Sequence, residues 1–145
     1  MNNLILFVCT GNTCRSPMAE YYFNCKSIDF KAVSRGIYAA ADGVMANNAQ
    51  LVLLENNIIP NTDILTHKSK QIDENIIKDA ARVYGITENH AEILRANYPE
   101  YAGKILAVPE NISDPYGSDI EIYRECFTKI KCAVDIIIKN LSGDC

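Results

Sequence analysis

Leu4-Ile5-Leu6-Phe7-Val8-Cys9-Thr10-Gly11-Asn12-Thr13-Cys14-Arg15-Ser16-Pro17 passes from a continuous apolar run, through a short polar loop, into a Ser-Pro pair. Five successive apolar residues between polar neighbours read as a strand buried on both faces, the pattern of a parallel sheet, and hence as its central strand. Ser16 and Pro17 start a helix, because proline in the first turn lacks only an N–H that would have no partner there. Met18, Tyr22 and Cys25 then share one face until the helix ends near Lys26.

Three more short apolar runs follow, at Ala32 to Ser34, Arg82 to Ile86 and Lys104 to Val108, with helical spacing between them. A helix opening around Asp42-Gly43 puts Met45, Ala49, Val52 and Leu53 on one side and exits at Asn56-Asn57; a short one is expected over Asp73 to Ala80. Thr87-Glu88 opens the next, with Ala91, Leu94 and Tyr98 inward and Pro99 as its stop. From Asp119 to Asn140 the residues Tyr123, Phe127, Ile130, Val134, Ile137 and Leu141 recur every three or four positions, the stripe of a long amphipathic helix. Strands alternating with helices require right-handed crossovers. The expected fold is therefore α/β in three layers, a four-stranded parallel sheet with helices on both faces, in one domain over residues 1–145. Ligands of such sheets bind outside the carboxyl ends of the strands, which puts any chemistry just after Val8, Ile86 or Val108.

Composition narrows the partners. The 145 residues are 48% hydrophobic and 22% charged, an ordinary globular balance. The net charge of -4, from 18 acidic and 14 basic residues, lacks the basic surplus of a nucleic-acid binder. No apolar stretch approaches the roughly 18 residues that span a bilayer, and Leu4 to Val8 is too short and lacks the basic flank of a signal peptide. No membrane partner is expected, and the protein is placed in the cytoplasm. There the six cysteines are expected as free thiols rather than a disulfide framework. An anion meeting an acidic protein needs a concentrated positive site, and the loop after the first strand supplies one.

Cys9 and Arg15 stand six positions apart in that loop. A loop wrapping from a strand end to a helix start points successive backbone N–H groups inward, and the helix N-terminus adds about half a positive charge at the same place. Gly11 permits backbone angles that a side chain would forbid. Arg15 offers a planar fork that can hold two phosphoryl oxygens at once. The same positive field favours the thiolate of Cys9. The loop reads as a cradle for phosphate or another oxyanion with a nucleophile at its base. A zinc site on Cys9 and Cys14 would need further ligands at workable spacing, and none stands ready.

Residues 5 to 20, with Cys9-(x)5-Arg15-Ser16, resemble the signature of the low-molecular-weight protein-tyrosine-phosphatase family, and Ser113-Asp114-Pro115-Tyr116-Gly117 resembles a second element of that family. The resemblance covers essentially the whole chain. It implies a flavodoxin-like fold and hydrolysis of phosphorylated protein side chains with no metal or other cofactor. By that resemblance Cys9 attacks phosphorus and becomes a cysteinyl-phosphate, while Arg15 and the loop residues Thr10, Gly11, Asn12, Thr13 and Cys14 bind the substrate's phosphoryl group. Asp114 protonates the leaving group and later takes a proton from the attacking water, and Ser16 eases departure of the thiolate. Tyr116 would wall the substrate cleft, Asn12 brace the loop and His67 support it from behind. His90 reads as a surface residue near a helix start. Many relatives carry an acidic residue where this chain has Thr87, which leaves Arg15 without an assigned orienting partner.

Readings of another class fit less well. The thioredoxin-coupled arsenate reductases share this loop but relay a disulfide through two further cysteines on a mobile segment, and this chain has none between Cys25 and Cys126. Cysteine-phosphorylated carriers of sugar transport lack the loop arginine. Within the family, tyrosine phosphatases usually carry isoleucine at the position of Thr13, and Thr13 resembles the protein-arginine-phosphatase branch. A threonine hydroxyl can hydrogen-bond a polar phosphoguanidine where isoleucine offers only apolar contact, and Asp114 suits a guanidine leaving group. Tyr116 departs from that branch, which has phenylalanine there. Phosphoarginine is the expected substrate, with phosphotyrosine the alternative.

Overall fold

The computed structural model describes residues 3–40, 43–58 and 67–142. Strand β1 (Leu4–Cys9) pairs in parallel with β2 (Lys31–Gly36) on one side and β3 (Arg82–Gly85) on the other, and β3 pairs with β4 (Ile105–Ala107). The order β2-β1-β3-β4 makes β1 central and places the reversal of strand order at its carboxyl end.

Successive residues of a strand face opposite sides of the sheet, so the unbroken run of β1 feeds two cores. Ile5 and Phe7 join Met18, Phe23, Val52 and Phe127 under helices α1 (Arg15–Lys26), α2 (Asn47–Glu55) and α5 (Ile120–Ser142). Leu6 and Val8 join Ile77, Ala91 and Leu94 under α3 (Glu74–Asp79) and α4 (Glu88–Asn97). Ile5, Leu6, Phe7 and Val8 are fully buried. This is the three-layer α/β arrangement with helices on both faces.

Three local expectations change. Helix α2 begins at Asn47 rather than near Asp42-Gly43. Asp42 lies outside the described residues; Gly43 instead accepts a hydrogen bond from Ser69 N at 2.7 Å and Val44 bridges antiparallel to Lys68. On α1, Cys25 is exposed and Phe23 takes the inward position, with Met18, Ala19 and Tyr22. The helix from Glu88 does stop before Pro99, at Asn97, and Pro99 then opens a separate 3-10 turn over Pro99–Lys104, where its missing N–H again costs nothing. The last helix runs two residues beyond Asn140, to Ser142, and Asp119 Oδ1 accepts from Ile122 N at 3.2 Å at its start. Among the described residues no helix is long and apolar enough to cross a membrane.

Candidate active site

The loop between β1 and α1 is shaped by where its carbonyls go. Cys9 O accepts from Ile37 N and Thr10 O from Tyr38 N, each at 2.9 Å, and Thr13 O accepts from Ala46 N at 3.0 Å. Asn12 O accepts from His67 Nε2 at 3.0 Å and Ser69 Oγ at 3.1 Å. In a trans peptide the C=O and the following N–H point in opposite directions, so carbonyls tied outward turn the amides of Thr10, Gly11, Thr13 and Cys14 inward. The N-terminus of α1 closes the same ring. Gly36 lets the loop lie this close to β2, since a Cβ there would stand 2.7 Å from Thr10 O.

Asn12 is the hub of that arrangement. It is fully buried and sits at φ 60, in the left-handed region that asparagine tolerates better than most residues. Its amide nitrogen donates to Ser16 Oγ at 3.0 Å and Ser34 Oγ at 2.9 Å, and its Oδ1 accepts from Lys70 N at 3.0 Å. Ser34 passes the chain on to Glu20 at 2.6 Å. Because Ser16 Oγ already accepts from Asn12, its own hydrogen is available to Cys9 Sγ, 2.9 Å away.

Cys9, Arg15 and Asp114 meet at one cavity of about 300 Å³, whose wall also includes Thr10, Gly11, Thr13, Cys14 and Tyr116. Arg15 is buried, and its guanidinium donates from Nη1 to Ile112 O at 3.1 Å, so a backbone carbonyl beyond β4 orients it. Its Nη2 lies 3.8 Å from Asp114 Oδ2. Asp114 Oδ1 accepts from Tyr116 N at 3.0 Å, leaving Oδ2 to face the cavity charge. Tyr116 is 72% exposed and Tyr38, which the sequence reading missed, is 77% exposed on the wall of the same cavity. Tyr38 follows β2 directly, at the same carboxyl edge of the sheet, and that position was its signal.

His67 is buried, and its Nε2 donates to Asn12 O in the loop. His90 is not a surface residue: it is only 4% exposed and reaches the loop, with Nε2 3.0 Å from Thr10 Oγ1. Its ring also closes a capping box with Thr87 at the start of α4. The legible signal was Thr87-x-x-His90 immediately after a strand end.

Burial holds both histidines neutral, His67 below its usual value and His90 down to about 4, the latter helped by the nearby charge of Arg15. For His90 the unfolded chain binds a proton near pH 6.5 that the fold refuses until about pH 4. Stability from this group is present above about pH 6.5 and is lost as pH falls toward 4. The melting temperature should drop across that window, and less steeply in His90→Gln. Equal slopes in calorimetric scans of the two proteins would contradict this.

The remaining thiols are held differently. Burial raises Cys14, whose Sγ lies 3.2 Å from the Tyr123 hydroxyl, and pushes Cys126 up to about 12. Cys25 and Cys132 are exposed, on α1 and α5.

The model of the family described as low molecular weight phosphotyrosine protein phosphatase matches residues 4–144. A protein-arginine-phosphatase of Geobacillus stearothermophilus is 32% identical over 148 residues, covering 97% of each chain. The structure of a low molecular weight protein tyrosine phosphatase from T. tengcongensis superposes with a TM-score of 0.88 at 37% identity, covering 94% of this chain and 98% of that one. The YwlE arginine phosphatase, solved as a cysteine-to-serine variant with a phosphorylated active-site serine, gives a TM-score of 0.88 at 29% identity, covering 97% of each.

Proposed function

Because the chain belongs to the low molecular weight phosphotyrosine protein phosphatase family, and is a cysteine-dependent protein phosphatase acting through a cysteinyl-phosphate, we propose that the cavity around Cys9 is its catalytic site. The observation that carries this reading is the convergence on one cavity of Cys9 and Arg15, from the two ends of one loop, with Asp114 from a segment about a hundred residues further along the chain. Cys9 Sγ attacks phosphorus while the inward amides of the loop and the guanidinium of Arg15 bind the three equatorial oxygens, whose charge they match. Asp114, through Oδ2, gives its proton to the leaving atom. Water then enters in its place, Asp114 takes a proton back, and the sulfur leaves as thiolate. The Ser16 hydroxyl, oriented by Asn12, donates to that sulfur as it departs.

The substrate we propose is phosphoarginine in proteins. Thr13, on the cavity wall, gives a polar guanidine a hydroxyl to meet, and a carboxylate at Asp114 both pairs with a guanidine and delivers its proton. The exposed rings of Tyr38 and Tyr116 on the cavity wall favour phosphotyrosine as the second reading, since aromatic walls suit a phenyl ring. The test compares kcat/KM on matched phosphoarginine and phosphotyrosine peptides. The wild type should prefer phosphoarginine, and Thr13→Ile should move the ratio about tenfold toward phosphotyrosine, the worth of one hydrogen bond. An unchanged ratio would overturn the assignment to arginine. The free thiols among the described residues support placing this activity in the cytoplasm.

A further inference from the structure

We infer that His90 is a positioning residue for the phosphate loop, holding Thr10 from the β3 side by a hydrogen bond whose direction Thr87 fixes. The inference rests on the reading of that loop as the oxyanion cradle.

The direction follows from the ring. Thr87 N–H donates to His90 Nδ1 at 3.2 Å, so that nitrogen carries no hydrogen and the neutral ring keeps its proton on Nε2. The contact of 3.0 Å to Thr10 Oγ1 is therefore a donation from the ring to the hydroxyl. Among the described residues His90 is the only hydrogen-bond partner of the Thr10 side chain. The other braces of the loop come from elsewhere: Ile37 and Ser34 from the β2 side, His67, Ser69 and Lys70 from the segment behind it, Ala46 from ahead of α2. Without His90 the first loop residue after the nucleophile is tied on one side alone.

The ring is also held in place from below. Gly85 ends β3, and a Cβ there would stand 2.6 Å from Ala91 N and 3.0 Å from His90 Cβ, so the start of α4 lies directly on the strand end. The charges around the ring are Arg15 and Asp114, and a neutral histidine braces the loop without adding a second cation beside Arg15.

Three variants separate this role from simple packing. In His90→Asn the side-chain oxygen can replace Nδ1 as acceptor for Thr87, but nothing reaches Thr10. His90→Gln places an amide donor near the position of Nε2. Thr10→Val removes the acceptor. Binding of inorganic phosphate is measured by calorimetry, alongside kcat/KM on an aryl phosphate and the melting temperature of each protein. His90→Asn should weaken phosphate binding about tenfold, His90→Gln should recover most of it, and Thr10→Val combined with His90→Asn should lose no more than either alone. Wild-type affinity in a folded His90→Asn, or losses that multiply in the double variant, would overturn the proposal. Phosphate binding is read without turnover. A wild type that binds phosphate but hydrolyses no phosphorylated peptide overturns the proposed function, while the His90 variants still decide the brace; a wild type that binds none overturns both.

Discussion

Cys9→Ser should lower kcat on a phosphorylated peptide by at least about 10⁴-fold, the scale on which removal of a nucleophile acts in covalent catalysis. A serine hydroxyl has to lose a much more tightly held proton to attack than a thiol does. The second step suffers more. An alkoxide is a poor leaving group compared with a thiolate, even with the Ser16 hydroxyl 2.9 Å from the departing atom. The variant should therefore gain the mass of one phosphoryl group at position 9 and keep it, as the serine of the YwlE variant does. Turnover at the wild-type rate would remove Cys9 as the nucleophile.

Asp114→Ala should lower kcat by about 10²–10⁴-fold, with little change in KM. The size should depend on the leaving group, because the carboxyl acts by supplying a proton. A nitrophenolate leaves readily without one and should lose least; an alkyl phosphate should lose most. The geometry supports this division of labour, since Oδ1 is occupied by Tyr116 N at 3.0 Å and Oδ2 stands on the side of Arg15, 3.8 Å from Nη2. A loss confined to KM, or one equal for all leaving groups, would mean that Asp114 only orients Arg15.

What the sequence disclosed and what it concealed divide along a physical line. The five apolar residues of β1 identified the central strand because burial on both faces leaves no polar position in the run, and the Cys9 to Arg15 loop was legible because its residue types carry the chemistry. The start of α2 was not legible. Gly43 and Val44 are drawn into pairing with Lys68 and Ser69, a contact between distant segments that a helical pattern does not register. The support of Arg15 was hidden for a different reason, since it comes from the backbone carbonyl of Ile112, which any residue could provide. His90 looked like an ordinary polar residue in a first helical turn. Its burial follows from the absence of a side chain at Gly85, a property of the neighbouring strand rather than of the helix itself.

The most direct measurement is rapid quenching of the wild-type enzyme during turnover of a phosphopeptide labelled in its phosphoryl group, followed by location of the label in the protein. The label should appear on Cys9 within the first turnover and disappear as water discharges it. Turnover without any labelled protein, or label on a different residue, would contradict the mechanism assigned to this site.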